Sequence, residues 1–406
     1  MPRVLQQSWI SAFQKKMEDT EVPENFVWWS AVAIIGAMLK RNVWVWERFQ
    51  VVPNQYIVLT GPPGVGKGSA MWPGIDIAKE TKLLSIFADR VTAEKVIELL
   101  AVGGAQVPRF NPATGLTTMV ADSTGLVVAP ELAAFMKSGD WMFEFLCQMW
   151  DQKTYDYKLK NGTSYEIKDL SVSLLAGCVP SYLADVSKRG GVTGGFTSRV
   201  IFPYAEKPRK IINDQWGEPS KAAQQLDLDL IQDLVSISNL QGGMTVADEA
   251  KQYWKNTVTM QFTIPKLEDY DTDALANFNA RIRTHILKTA IALSVSESDD
   301  LVIKKHHLEE SVREVCKIRD SINLTFRNVG TSDLAPLQEK AKIIIERRGR
   351  ITHNQLLALM HRDCNSEQLS RVLDILYKIE FAEYCEDRNG KSWIQYLPQK
   401  PIIGVP

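Results

Sequence analysis

The residues best suited to chemistry in this chain are a lysine, a glutamate and an arginine, each beside an apolar run. The lysine belongs to Gly61-Pro62-Pro63-Gly64-Val65-Gly66-Lys67-Gly68-Ser69. An apolar run at 56–60 reads as a buried strand before it, and a helix pattern follows; this is the strand–loop–helix setting of a phosphate-binding loop. Backbone N–H groups of such a loop converge on phosphate oxygens, and the helix start adds partial positive charge. Lys67 would reach the β- and γ-phosphates of a nucleoside triphosphate such as ATP. The next position ordinarily carries the hydroxyl that ligates Mg²⁺, but here it is Gly68, and the hydroxyl comes one residue later at Ser69. The metal is therefore expected to be held less directly. The plain alternative for this segment is a glycine-rich turn with no ligand.

Hydrolysis needs a carboxylate that orients water, at a strand end beside the phosphates. The run Gly125-Leu-Val-Val-Ala-Pro-Glu131-Leu132 supplies Glu131, which with Ser69 is the candidate metal contact. An acid ordinarily precedes it; here that residue is Pro130. Glu131 could equally be a solvated residue opening a helix. A further apolar run, 170–177, ends near Cys178 and Ser181, and either side chain or the backbone could sense the γ-phosphate. Next comes Lys188-Arg189-Gly-Gly-Val-Thr-Gly-Gly-Phe-Thr-Ser-Arg199, followed by an apolar strand pattern. That loop presents an arginine, whose fixed donor fork suits a phosphate in its transition state. Arg199 is the first choice and Arg189 the second.

Two hairpins lie among these segments. Residues 155–168 alternate around Asn161-Gly162, a strong turn signal. Lys158 and Lys160 precede its tip and could hold nucleic-acid phosphates without reading bases. A weaker hairpin spans 108–119. Further on, residues 279–293 read as an amphipathic helix with Ile282, Ile286, Leu287 and Ala290 inward and Arg281 and Arg283 near its start. Either arginine could report on bound nucleotide from a helical lid.

These residues need a scaffold, and the 406 residues suffice for two or three domains. Apolar residues at 45% and charged residues at 23% describe an ordinary globular chain. The net charge of −1 is not that of a nucleic-acid coat, so any DNA contact must come from local loops. The longest apolar run, 27–39, is too short to span a bilayer. No signal peptide is visible, and the five cysteines lack C-x-x-C spacing, which together predict reduced thiols in a cytoplasmic protein. Only His306 and His307 adjoin one another among the histidines, without a nearby cysteine, so a zinc site is not expected.

Residues 1–50 read as an N-terminal helical segment, with helix patterns at 9–17 and 25–40 and a β pattern at 43–46. Residues 51–210 alternate strand and helix, which predicts an α/β core with a parallel sheet from 56–60, 84–88, 126–129, 171–177 and 199–203. Residues 211–330 read as a helical lid, with long periods at 222–238, 245–258, 269–297 and 304–327. Residues 331–406 read helix, short strand, two helices and a strand pair about Arg388-Asn389-Gly390, the succession of a winged-helix domain. In its third helix Leu369, Val372, Leu373 and Leu376 form the inward stripe, while Arg371 and Lys378 share the outer face with Glu367 and Asp374.

The order of phosphate loop, Val-Ala-Pro-Glu-Leu, hairpin, Gly-Gly-Phe-Thr-Ser-Arg, helical lid and winged helix resembles the AAA+ ring helicases. The nearest likeness is to the helicase modules of phage and mobile-element primase–helicase proteins, with the minichromosome-maintenance helicases as wider relatives. The resemblance covers roughly residues 20 to 325 and extends into the winged helix. It implies an AAA+ P-loop NTPase fold and an ATP- and Mg²⁺-dependent DNA helicase or translocase acting as a hexameric ring in replication of a phage or mobile element. It assigns nucleotide binding to Gly61–Ser69, water activation to Glu131, a trans-acting role to Arg199, a lid role to Arg281 and single-stranded DNA in the channel to Lys158 and Lys160. No primase-like region accompanies the motor. The expected partners are DNA, further copies of the chain and replication proteins at the winged helix, and no membrane. The alternatives are a replication initiator or helicase loader, and a non-hydrolysing ATP-dependent DNA-binding scaffold. Gly-Lys-Gly-Ser also suggests a small nucleotide kinase, which the lid, the Arg199 loop and the winged helix disfavour.

Overall fold

Five of the apolar runs become parallel strands, because burial on both faces removes the alternation of a half-exposed strand. The computed structural model describes residues 3–88, 93–103, 106–111, 116–136, 141–158, 164–183, 194–212, 216, 218–263, 272–326, 334–387 and 390–398. Strands Val200–Ile201, Tyr56–Thr60, Ser171–Cys178, Thr124–Ala129 and Ile86–Ala88 lie side by side in that order, each pair parallel. In chain order this is fifth, first, fourth, third, second. Ser171–Cys178 thus stands between the strand that ends in the phosphate loop and the strand that ends at Glu131. Thr60 pairs with Cys178 and Ala129 with Ala176, so the three strands stop at nearly the same level.

The helix Glu24–Leu39 packs on this sheet and on the helix Lys67–Glu80 that follows the phosphate loop. It is apolar all round and buried from Phe26 to Leu39, as an inner helix must be. Helices Trp9–Lys16 and Lys221–Ser238 pack beside it, and the Trp9 indole N–H donates to the Leu230 carbonyl at 2.9 Å. All five cysteines are free.

The region read as a helical lid also contributes two strands, Gly242–Val246 and Val302–Ile303. Val302–Ile303, Gly242–Val246, Val43–Trp46 and Gln50–Val51 form a second sheet. Val43–Trp46 is the strand read at 43–46; two of the others have only two residues and Gly242-Gly243 opens the third, so those three show no strand period. The expected helix at 279–293 is also corrected. The chain turns at Ala280-Arg281 between helices Asp273–Asn279 and Ile282–Glu297, and the second is buried on every side from His285 to Ser296, Lys288 included. It packs between Glu24–Leu39 and Lys305–Thr325, which leaves it no wet face.

Among the described residues two hairpins stand as separate two-stranded antiparallel sheets: Gln106–Asn111 with Leu116–Ala121, and Thr154–Lys158 with Ser164–Lys168. Residues 1–327 form one compact unit and 328–406 a second. The second unit contains helices Ala335–Arg348, His353–Met360 and Ser366–Lys378, with a three-stranded antiparallel sheet in the order Arg350–Ile351, Ser392–Tyr396, Ala382–Glu386. Leu369, Val372, Leu373 and Leu376 share its core with Leu356, Met360 and Ile394. The Thr352 hydroxyl and the Asn365 side-chain carbonyl accept from the first turns of their helices, where Gln355 and Gln368 return the bond. Among the described residues no helix is long and apolar enough to cross a membrane.

Candidate functional site

The sequence-selected residues fall into two groups at opposite ends of the five-stranded sheet. At the carboxyl ends the phosphate loop turns back through Gly64 (φ +81°) and Gly66 (φ +92°). An L side chain in that left-handed region costs ~1–2 kcal/mol, so the loop and its helix start need glycine there. Lys67 is the first helical residue, and its Nζ donates to the carbonyls of Gly61 and Pro62, each at 2.8 Å. The neighbouring strand comes close because Gly177 has no side chain: a Cβ there would lie 2.5 Å from the Pro130 carbonyl oxygen and 3.6 Å from the Lys67 Cβ.

These close approaches frame a cleft of about 560 Å³ lined by Lys67, Ser69, Pro130, Glu131 and Cys178 among others. Burial lowers the Lys67 pKa, with Cys178 opposing. Burial also pushes the Cys178 thiol up to about 12, so it stays protonated and donates to the Val179 carbonyl at 3.3 Å. Of the two sensing candidates, Cys178 lines the cleft as a neutral thiol, and Ser181 is exposed. Glu131 opens the helix Leu132–Phe135 with extended backbone, and its exposed side chain caps nothing. A second cleft of about 770 Å³ lies on the other side of the loop, where Val22, Val65, Trp72 and Ile77 give it an apolar, aromatic wall. Gly64, Gly66 and Ser69 border both clefts.

At the amino ends, Val200 pairs with Tyr56, which sets Arg199 beside the start of the strand whose far end enters the phosphate loop. At 3.2–3.4 Å per residue the two levels are roughly 15 Å apart. Arg199 Nε donates to an Asp151 carboxylate oxygen at 2.9 Å, and its Nη2 reaches the same oxygen. Arg281 donates to both oxygens of that carboxylate, at 3.1 and 3.3 Å. The two guanidinium carbons lie 5.9 and 5.2 Å from the Trp150 ring centre, and the Lys288 Nζ lies 4.4 Å from it. Arg281 thus stands with Arg199 and not at the phosphate loop. Arg283 pairs with Glu47 at 2.9 Å.

Buried groups fix this end rigidly. Lys288 Nζ donates to the carbonyls of Val52 and Asn54, at 2.9 and 2.8 Å, and burial drives its pKa well down. His285 Nε2 lies 2.9 Å from the Ser198 carbonyl, which can only accept, so that nitrogen carries the proton. Burial holds the His285 pKa down at about 3, leaving the ring neutral. Ser198 adjoins Arg199, and His285 is one turn from Arg281, so this bond ties the two arginine-bearing segments together.

Asp151, Trp150, His285 and Lys288 are the residues that motif reading missed. One signal was available: Asp151 ends the helix Trp141–Asp151, where the macrodipole disfavours an acid unless a cation meets it. Lys158 closes the first strand of its hairpin. Lys160 and Arg189 lie outside the described residues.

Among the described residues, Glu297, His306 and His307 form a cluster of possible metal ligands. His307 Nδ1 accepts the Lys304 backbone N–H at 3.1 Å, so its Nε2 is protonated and donates to Glu297 at 2.9 Å. A protonated nitrogen has no lone pair for a metal, and the cluster instead closes the start of helix Lys305–Thr325. No family model matches the chain, and no curated protein matches it.

Proposed function

We propose that the chain is one subunit of an ATP-driven ring with an AAA+ core, a DNA helicase or translocase for replication of a phage or mobile element. The observation that carries this reading is the separation of Lys67 from Arg199 across one sheet. An arginine at the wrong end of its own sheet cannot reach its own phosphates, whereas a head-to-tail neighbour can offer it. Head-to-tail contacts generate rings where the rotation closes.

In this reading the triphosphate rests on Lys67 and the helix start, with the base against Trp72 across the loop. Bound ATP would draw Lys67 from the carbonyls of Gly61 and Pro62. Glu131 would orient water, and Arg199 with Arg281 of a second copy would neutralise charge in the transition state. Mg²⁺ takes one or two carboxylates together with substrate phosphates and keeps several waters. Ser69 and Glu131 meet that sparse demand, and the ion would supply charge neutralisation at the phosphates. Lys158 and Lys160 would hold single-stranded DNA by its phosphates, which gives affinity without sequence preference. The C-terminal unit, three helices and a three-stranded antiparallel sheet, would serve as a winged helix that meets DNA or a replication protein.

The test is ATP-dependent unwinding of a part-duplex DNA by wild type and by Lys67→Ala. The reading expects unwinding by the first alone; behaviour indifferent to both DNA and the substitution contradicts it. Gly68 and Pro130 favour a second reading, an ATP-gated DNA-binding scaffold or loader with little turnover. Tight ATP binding without hydrolysis at any protein concentration would select it.

A further inference from the structure

Asp151 is the acid on which both arginines converge, and it is also the last helical residue before the Thr154–Lys168 hairpin. Only two residues separate it from the first hairpin strand. The base of that hairpin is closed by the Leu170 N–H donating to the Lys153 carbonyl at 3.0 Å, and by Lys153 facing Asp169 at 3.5 Å. Anything that pulls on Asp151 therefore pulls on the root of the hairpin.

We propose that Asp151 is a latch: its carboxylate stands in for a phosphate between Arg199 and Arg281, and a nucleotide phosphate on a second copy of the chain displaces it. The inference rests on the proposed shared site and adds the route by which that site reaches the hairpin. A carboxylate and a phosphate oxygen pair compete for the same guanidinium forks. The arginines themselves are poorly placed to move. Arg199 is 13% exposed and held through Ser198 to His285, and Arg281 stands one turn before His285, where the buried run to Ser296 begins. Asp151 is the most exposed of the three, at 35% against 31% for Arg281 and 13% for Arg199, and its helix ends with it. Arrival of the phosphate thus leaves the arginines in place and expels the acid. The released helix end then carries the hairpin with it, so ATP at one subunit sets the hairpin of its neighbour.

The experiment is amide hydrogen exchange on the full chain, wild type and Asp151→Asn, without nucleotide and with a non-hydrolysable ATP analogue. Asparagine keeps the shape and removes the charge that mimics phosphate. The latch predicts that D151N without nucleotide exchanges its 154–158 and 164–168 strands about fivefold faster than wild type, a typical coupling magnitude. Wild type should reach that level only with the analogue, and strand 171–178 should be unchanged in both. Equal hairpin exchange in wild type and D151N without nucleotide overturns the latch. If D151N also loosens strand 171–178, Arg281→Gln, which removes one arm of the latch, is read on the same hairpin strands with the same two outcomes. The underlying shared site is judged separately: Arg199→Ala chains mixed into wild type should depress its ATPase activity. If they do not, the shared site fails even where D151N loosens the hairpin.

Discussion

The two ends of the five-stranded sheet are built on opposite principles. At the carboxyl ends Lys67, Ser69 and Glu131 border open clefts, and Lys67 donates only to backbone carbonyls among the described residues. At the amino ends Arg199, Arg281, Asp151, His285 and Lys288 are tied to one another and to backbone, with His285 and Lys288 out of water. The first arrangement suits a site that receives a ligand from solution. The second suits a preformed tool that must keep its shape until it meets a charge brought by another molecule. Preorganised groups of this kind stabilise a developing charge without the cost of rearrangement.

The comparison breaks most visibly if each end proves dispensable. On the proposed reading Arg199→Ala lowers ATP turnover on the order of a thousandfold while leaving ATP binding intact, since trans-acting arginines commonly carry that much of the rate. Lys67→Ala should instead abolish binding itself. Equilibrium binding of a fluorescent ATP analogue, set beside steady-state turnover, separates the two; loss of binding in the Arg199 variant would erase the distinction between the ends.

A second effect belongs to the amino end alone. His285 has a folded pKa of about 3, below its ordinary 6.5, because burial disfavours the imidazolium. Its contribution to stability is complete above pH 6.5 and is lost as the pH falls toward 3, where the unfolded chain binds a proton that the folded chain refuses. Each pH unit in that window should cost ~1.4 kcal/mol from this group. Denaturant unfolding across the window should show the slope in wild type and a shallower one in His285→Gln; equal slopes would mean that His285 is not the neutral tie to Ser198.

The smallest effect sharpens the account of the carboxyl end. A Cβ on Gly68 would meet only the Trp72 ring, at 3.9 Å, so a serine fits. Gly68→Ser should lower the Mg²⁺ needed for half-maximal turnover severalfold without altering stability. An unchanged Mg²⁺ requirement would show that Ser69 already serves as the hydroxyl ligand.

The same contrast explains what the sequence made legible. The Gly61–Ser69 loop is contiguous, its glycines answer to local backbone demands, and the strand before it is buried throughout, so the strand, loop and helix start could be read from neighbouring residues. The order of elements in the C-terminal unit was legible for the same reason, since its caps and its Leu369–Leu376 stripe are local signals. The amino end draws on residues 52–54, 150–151, 198–199 and 281–288, which only the fold brings together. Arg281 showed as an ordinary helix-start arginine, and its partnership with Arg199 depends on a carboxylate that no motif contains. Of the second sheet only Val43–Trp46 was legible as a strand; its partners are two residues long or open on Gly242-Gly243 and show no period.

The most direct test of the central claim mixes two disabled chains. Lys67→Ala lacks the receiving end and Arg199→Ala lacks the offering end, and each alone should hydrolyse almost no ATP. If the ends of neighbouring chains form one site, mixing the two variants recreates some intact sites, and ATP turnover returns to a readily measured fraction of wild type. If the mixture stays as inactive as its components while both variants still assemble with wild type, Arg199 does not serve the Lys67 site of a neighbour.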